Sequence, residues 1–343
     1  MLRVGLRLLV FCLPILLVWA VLELWPANVP NSCSAKRQRL EALAKEVDTL
    51  ILGSSRAYYG IAPKQLTGCA FNLANVSQSL YYDDRLMTLV LPELPKLSRV
   101  IIEIQDTSLF FQLQESKEDW RQYYYQQEWH IPPPELKDRL DIRMWSRFAL
   151  PTGELYRSSL RKALFAVVRG RGKEFVPDVT PDTEMDDRGW RSPTDKEPSP
   201  QNLSAASLAI TLARHRSVMK AINEPVNLAY LSHLLSVLRE RNIEVVFITM
   251  PVWGAYSEKM DAEYWDRAQA DLEQLTKKYG ARYLSFLSMP QLDPEDYWDV
   301  DHLSPRGAIR FTEWLNSKLE SRAADVRSVG GGPVLSRSEG RGL

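Results

Sequence analysis

Three cysteines are few for 343 residues, and their placement excludes more than their number does. Cys12 lies inside an apolar run, while Cys33 and Cys69 each stand away from any second cysteine or histidine. The ligand spacing of a zinc site is therefore missing, and neither a metal nor a cofactor is expected. Excess charge is missing too, with 43 Lys and Arg against 43 Asp and Glu. No overall field favours a polyanion, so nucleic acid is not an expected partner. The chain has no internal repeat, which sets aside solenoids and arrays. It also lacks the Gly-x-Ser-x-Gly elbow, because Ala57 occupies the place of the second glycine after Gly53-Ser54-Ser55-Arg56.

What is present begins with hydrophobicity. Leu8 to Leu22 is a charge-free, almost wholly apolar run, with Arg3 and Arg7 before it and Glu23, Trp25 and Pro26 after it. Counted from Val4 to Trp25 it approaches the roughly 20 residues that a bilayer span needs. A retained anchor over residues 1–27 is expected, against a cleaved signal peptide, since no small-x-small site follows closely. Its orientation is contested: Arg3 and Arg7 favour an inside N-terminus, and Lys36, Arg37 and Arg39 pull the other way. Cys33 and Cys69 form either a disulfide or two unrelated buried thiols.

With 45% apolar and 25% charged residues, the remainder suits a globular domain with ample core. A charged helical pattern over Ser34 to Val47 suggests a connecting helix (28–46). Strands are expected at Leu50–Leu52, Ala70–Ala74, Arg99–Ile104, Asn242–Met250 and Ala281–Phe286. Helical patterns begin near Ser79 and cover Asn227–Arg241 and Met260–Tyr279. Strands alternating with helices imply an α/β fold with a mainly parallel sheet wrapped on both faces. Between about 111 and 202 the pattern dissolves into a long insertion, with some helix around Leu155–Val168 and a polar run from Pro177 to Pro200. Residues 323–343, with Gly330-Gly-Gly, are expected to be a disordered tail.

The chemistry lies at the two ends of the soluble part. Asp48-Thr-Leu-Ile-Leu-Gly53-Ser54-Ser55 reads as a buried strand ending in a turn that presents a serine. Asp299-Val-Asp301-His302 supplies an acid and an imidazole three residues apart. A hydroxyl is a weak nucleophile until an oriented imidazole takes its proton. In an open parallel sheet ligands bind outside the carboxyl ends of strands, so both segments can converge on one rim. Ser54 rivals Ser55 as nucleophile. Asp301 rivals Asp299 as the orienting acid, but neighbouring side chains point apart, which favours Asp299.

These blocks, in this order, resemble the SGNH (GDSL-type) hydrolase superfamily, particularly its membrane-anchored members linked to acyl transfer on extracellular polysaccharides or cell-wall polymers. The Gly-x-Ser turn maps onto Gly53-Ser54-Ser55, and Asp-x-x-His onto Asp299 and His302, followed by Leu303-Ser304-Pro305-Arg306-Gly307-Ala308. The second block resembles Asn72-Leu-Ala74-Asn75-Val-Ser77, with both glycines replaced; the third is represented only by Glu103-Ile-Gln105-Asp106. The resemblance implies one SGNH-like three-layer domain over 47–322, with the long insertion and an N-terminal transmembrane helix. It implies Ser55, His302 and Asp299 as catalytic residues, and oxyanion donors among Ser55, Ala74, Asn75, Ser77 and Gln105. Arg56, either a surface charge or an anion anchor, and Trp253, either a groove wall or a packing residue, are candidates for substrate binding. Tyr58, Tyr59, Tyr81 and Tyr82 are either a sugar platform or core; His215 and His233 read as packing residues, and His130 as loop. The implied function is serine-dependent hydrolysis or transfer of an acyl ester, acting outside the cytoplasm on acetylated glycan or cell-surface polymer. A membrane-bound protein that delivers the acyl group is the implied partner. The alternative is a non-catalytic scaffold that kept the fold.

Overall fold

Each of the five apolar runs forms a strand: β1 Thr49–Leu52, β2 Ala70–Asn72, β3 Arg99–Glu103, β4 Glu244–Thr249 and β5 Arg282–Ser285. In the computed structural model they make one sheet, ordered β2-β1-β3-β4-β5, with every neighbouring pair parallel. The structure describes residues 2–24, 31–147, 149, 185–192, 198–289 and 291–330, with side chains in the first helix at 7, 10–14, 16–20 and 23 and in the last helix up to 321. Parallel strands cannot be joined by a tight turn, so the chain must cross over between them. The helices are α1 Leu2–Leu24, α2 Ser32–Leu43, α3 Ser55–Gly60, α4 Leu80–Val90, α5 Arg121–Trp129, α6 Ala205–Val218, α7 Glu224–Glu240, α8 Gly254–Lys259, α9 Ala262–Tyr279 and α10 Pro305–Gly330.

Successive strand residues point to opposite faces, which splits the core in two. Leu50, Leu52, Val100, Ile102, Val245 and Phe247 pack with Leu86 of α4, Leu231 and Leu235 of α7 and Leu272 of α9. Ile51, Ile101, Val246 and Ile248 pack on the other face with Ala57 and Tyr58 of α3 and Phe311 and Leu315 of α10. Burial on both faces accounts for the unbroken apolar runs and gives the three layers expected.

The helix expected as a mere connector, α2, is built into the body. Asn31 caps it through the N–H groups of Cys33 and Ser34, and Cys33, Ala35, Lys36 and Leu40 are buried. Lys36 donates to the carbonyls of Asn72 and Gly189 and lies over the Tyr58 ring. Cys33 and Cys69 are free thiols and not a disulfide, but only Cys33 is buried and Cys69 is half-buried; burial pushes the Cys33 thiol up to about 12. The insertion is partly core: Tyr123, Tyr124, Tyr125 and Trp129 of α5 join the first core, and Tyr125 stacks on Tyr82 at 4.0 Å. An aromatic triplet cannot be left in water cheaply, and its burial here outweighs the prolines that follow. Residues 185–192 return from the insertion to the sheet, where Asn72 N donates to Arg188 O at 2.9 Å. The helix expected at Leu155–Val168 lies outside the described residues. At the C-terminal end α10 runs on to Gly330, past the boundary expected at 322, because nothing before Gly330 breaks the helix.

α1 is 23 residues long, and Val10, Phe11, Leu13, Leu16, Leu17, Val18 and Trp19 along it are exposed. Among the described residues no helix is long and apolar enough to cross a membrane, so the expected span is not shown.

The turn that ends β1 is held at Gly53, whose φ of +138° suits glycine and whose added Cβ would fall 2.6 Å from the Glu103 side chain. Gly53→Ala should therefore lower stability by at least about 2 kcal/mol, read as a lower denaturant midpoint at unchanged slope.

Candidate functional site

The sheet order sets the site. β1 lies inside the sheet, and its carboxyl end passes through Gly53 into α3, with Ser54 before the first turn and Ser55 at the first helical position. Across the rim, the segment Tyr297 to Leu303 closes on itself through an antiparallel bridge at its ends and Trp298 N donating to His302 O at 3.1 Å. Asp299 organises this loop from inside. Its Oδ1 accepts the N–H groups of Asp301 at 3.0 Å and His302 at 2.9 Å. The same carboxylate faces His302 Nδ1 at 3.0 and 3.1 Å. One side chain thus fixes backbone and ring together, which is what the three-residue spacing allows.

The other ring nitrogen, Nε2, lies 2.8 Å from Ser55 Oγ. Ser55, His302 and Asp299 are therefore in line, although 247 residues separate the first two in sequence. Ser54, the rival nucleophile, turns toward Glu103, whose Oε2 accepts its backbone N–H at 2.5 Å. Asp301, the rival acid, is not turned away as neighbouring side chains were expected to be: its Oδ1 is 3.4 Å from His302 Nδ1, farther than Asp299. Burial works against a charged imidazole at His302, but the Asp301 and Asp299 carboxylates outweigh it and raise its pKa above the ordinary value. Trp298 stacks on the His302 ring at 5.1 Å, and Tyr59 meets both rings edge-on.

The oxyanion residues fare unevenly. Ala74 N–H donates to Asn72 Oδ1 at 3.1 Å and Asn75 N–H to Gly53 O at 3.2 Å, so both expected donors are engaged in holding the turn. The Asn75 side chain turns to Ser32 and Cys33 of α2. Ser77, at φ +55°, donates its hydroxyl to Glu118. The Gln105 amide is buried, with neither Nε2 nor Oε1 in a hydrogen bond. Ser55 N–H, at the first helical position, has no intrahelical acceptor and can face a ligand.

Arg56 is no surface charge. It is 4% exposed, bonded through Nη1 to Asp106 Oδ1 at 3.1 Å and through Nη2 to the Tyr256 hydroxyl at 2.9 Å. The long side chain folds inward from α3 because acids wait there, a pairing invisible in the local sequence. Trp253 is half-buried, edge-on to Tyr297 at 5.6 Å, and packs between two apolar clusters. Tyr58 and Tyr82 are core, Tyr81 nearly so, and Tyr59 alone of the four borders the site. His130 ends α5 in a left-handed turn, and His233 Nδ1 meets Asp84 at 2.5 Å. His215, read as packing, instead reaches a buried polar group with Tyr256 and Asp301. Trp298, Tyr256 and His215 border the site as well, and only Trp298, one position before Asp299, lies near enough to a motif to be found from sequence.

Asp299, Asp301 and His302 place ligand-type atoms within 4.8 Å of one another, as a cation site would. The nitrogen among them lies against both acids, however, and a ring proton accounts for that arrangement without an ion.

Two more acids bracket the turn from the strand side. Asp83 accepts from Gly53 N–H at 3.1 Å and from Gln78 Nε2 at 2.6 Å, while Glu103 holds Ser54. Burial pushes Asp83 up to about 8 against those hydrogen bonds, with Glu103 adding to the rise. Burial raises Glu103 as well.

No family model matches the chain, and no curated protein does. Among solved structures, a candidate acylhydrolase from Bacteroides fragilis aligns at 10% identity and a TM-score of 0.39, covering 84% of this chain and 97% of its own. A structure described as a candidate platelet activating factor from Streptococcus pneumonia aligns at 11% identity and a TM-score of 0.40, covering 88% and 98%. Likenesses this distant carry no argument about chemistry.

Because the folded-state pKa of Asp83 is raised, its contribution to stability is present below about pH 4 and lost as the pH rises through about 8. Asp83→Asn should flatten the fall in stability across that window, by at most about 1.4 kcal/mol per pH unit, in urea unfolding followed as a function of pH.

Proposed function

We propose that the chain is a serine-dependent acyl-ester hydrolase or O-acyltransferase of SGNH type, with Ser55 as nucleophile. The observation that carries this is the single line of contacts from Ser55 Oγ to His302 Nε2 at 2.8 Å and from His302 Nδ1 to Asp299 at 3.0 Å. Nδ1 carries the ring proton toward the carboxylate, which leaves the Nε2 lone pair for the serine hydroxyl. Ser55 Oγ attacks the acyl carbon as its proton passes to Nε2, and the carbonyl electron pair moves onto oxygen. That oxygen is met by Ser55 N–H. Collapse expels the alcohol, which takes the proton back from Nε2. Water or a second hydroxyl then repeats the sequence on the acyl-serine: water gives an esterase, and a sugar hydroxyl gives a transferase.

Acetylated glycan or cell-surface polymer is the proposed substrate class, supported by the Trp298 and Tyr59 rings beside the imidazole. Action outside the cytoplasm and membrane attachment through residues 1–27 are proposed on the apolar run from Leu8 to Leu22 and the exposed side chains of α1. A membrane-bound acyl donor protein belongs to the transferase form of this reading. One observation favours the scaffold alternative: two of the expected oxyanion N–H groups, at Ala74 and Asn75, are bonded within the protein.

Turnover of an aryl acetate by the purified chain decides between these. Ser55→Ala should reduce it by at least about 10³-fold while Ser54→Ala leaves it within a few-fold; no Ser55-dependent turnover would favour the scaffold. A general base works unprotonated, and the His302 pKa is raised, so kcat/KM should climb with pH through a midpoint above about 6.5. A midpoint below that value would contradict the role given to the two carboxylates.

A further inference from the structure

Asp301 stands between two imidazoles. Its Oδ1 is 3.4 Å from His302 Nδ1, and its Oδ2 is 3.3 Å from Nε2 of His215, which α6 brings in from a separate part of the chain. The side chain is 2% exposed. Asp299 takes the Nδ1 hydrogen bond of His302, and Asp301 Oδ1 makes none of its own, so Asp301 acts on that ring through charge. Two further cations face the same carboxylate: Arg214 Nη2 at 3.5 Å from Oδ1 and Arg56 Nη2 at 3.8 Å from Oδ2.

His215 is held from behind by a group whose protons can be counted. The Tyr256 hydroxyl donates its one proton to Asp106 Oδ2 at 2.8 Å and receives Arg56 Nη2 at 2.9 Å. It also lies 2.7 Å from His215 Nδ1, and with its own proton committed it can only accept there. Nδ1 of His215 is therefore the donor. Nε2 then faces two groups: Asp301, whose contact is attractive only when Nε2 carries a proton too, and Arg214 Nη2 at 3.5 Å, which can donate to Nε2 only when it does not. With that proton His215 shares the charge of Asp301. When Nε2 loses its proton, a lone pair faces the carboxylate and a larger share of its charge acts on His302, with Arg214 and Arg56 still facing it.

We propose that Asp301 is a shared counter-ion coupling His215 to His302, so that the proton on His215 sets how strongly His302 holds its own. His215 and Asp301 are positioning residues: neither touches Ser55, and both act through the ring that does. The sign follows from charge alone. A protonated His215 weakens the hold of Asp301 on the His302 proton and keeps that imidazole available as a base; a deprotonated His215 strengthens the hold. The catalytic meaning of this coupling rests on the acyl-transfer reading, but the coupling itself does not.

The full chain has four histidines, His130, His215, His233 and His302, few enough to follow one by one by NMR with labelled imidazole nitrogens. In Asp301→Asn the His302 midpoint should fall by about one pH unit, a tenfold loss of proton affinity. In His215→Gln it should move the opposite way. His233, bonded to Asp84 and not to any residue of this network, should keep its ring signals in both. A His302 midpoint that stays within about 0.2 unit in His215→Gln, or moves the same way in both variants, would overturn the proposal, since simple loosening has no reason to act with opposite signs. If Asp301→Asn fails to fold, as a disturbed His233 signal would reveal, His215→Gln decides by itself. Coupling without any Ser55-dependent turnover would sink the enzyme reading alone; turnover without coupling would sink this inference alone.

Discussion

The Asp299 carboxylate is the constraint from which the site takes its form. By accepting two successive backbone N–H groups and facing the imidazole as well, it converts a short polar loop into a fixed support for one ring. A ring so held presents Nε2 in a single direction, and the placement of β1 inside the sheet decides that Ser55 is what it meets. Loop and sheet are independent features of the fold. Only their conjunction makes a hydroxyl, a ring and an acid line up, and conjunctions of this kind are what open parallel sheets offer at their carboxyl rim.

Behind that line the interior is unusually polar. Arg56, Asp106, Tyr256, Asp301 and His215 come from separate segments and meet in a region nearly closed to water. Such a group is costly to assemble, and it persists because each charge there has a partner of opposite sign or a hydrogen bond. Burial alone would discharge Arg56; the neighbouring Tyr256, Asp106 and Asp301 raise its pKa instead. The effect is to surround the imidazole with fixed charges where water would otherwise screen them.

The sequence was most legible where chemistry is local. Strand positions followed from apolar runs, and Ser55, Asp299 and His302 from a strand-end turn and a three-residue spacing. Legibility failed wherever a contact spans the chain. Nothing around Arg214-His215-Arg216 distinguishes an exposed basic patch from a residue that reaches Asp301, and nothing near Arg56 announces Asp106. The tyrosines of α5 read as part of a loose insertion because their partner, Tyr82, lies on α4. The oxyanion turn failed differently. An Asn two residues before Ala74 can accept that residue's N–H, a local bond that the motif pattern gave no reason to weigh.

One feature of β2 reaches beyond the site. It is an outermost strand, and the outward N–H and C=O of Asn72 are both occupied, the first by Arg188 from the returning insertion and the second by Lys36 from α2. A bare strand margin is a template on which another molecule can lay its own backbone, and natural folds blunt such margins. Gly189, where any side chain would collide with the Asn72 carbonyl, lets the cover lie close enough to do so. The insertion thus guards the molecule against adding to itself, and a version trimmed to the minimal sheet and helices would trade that protection for brevity.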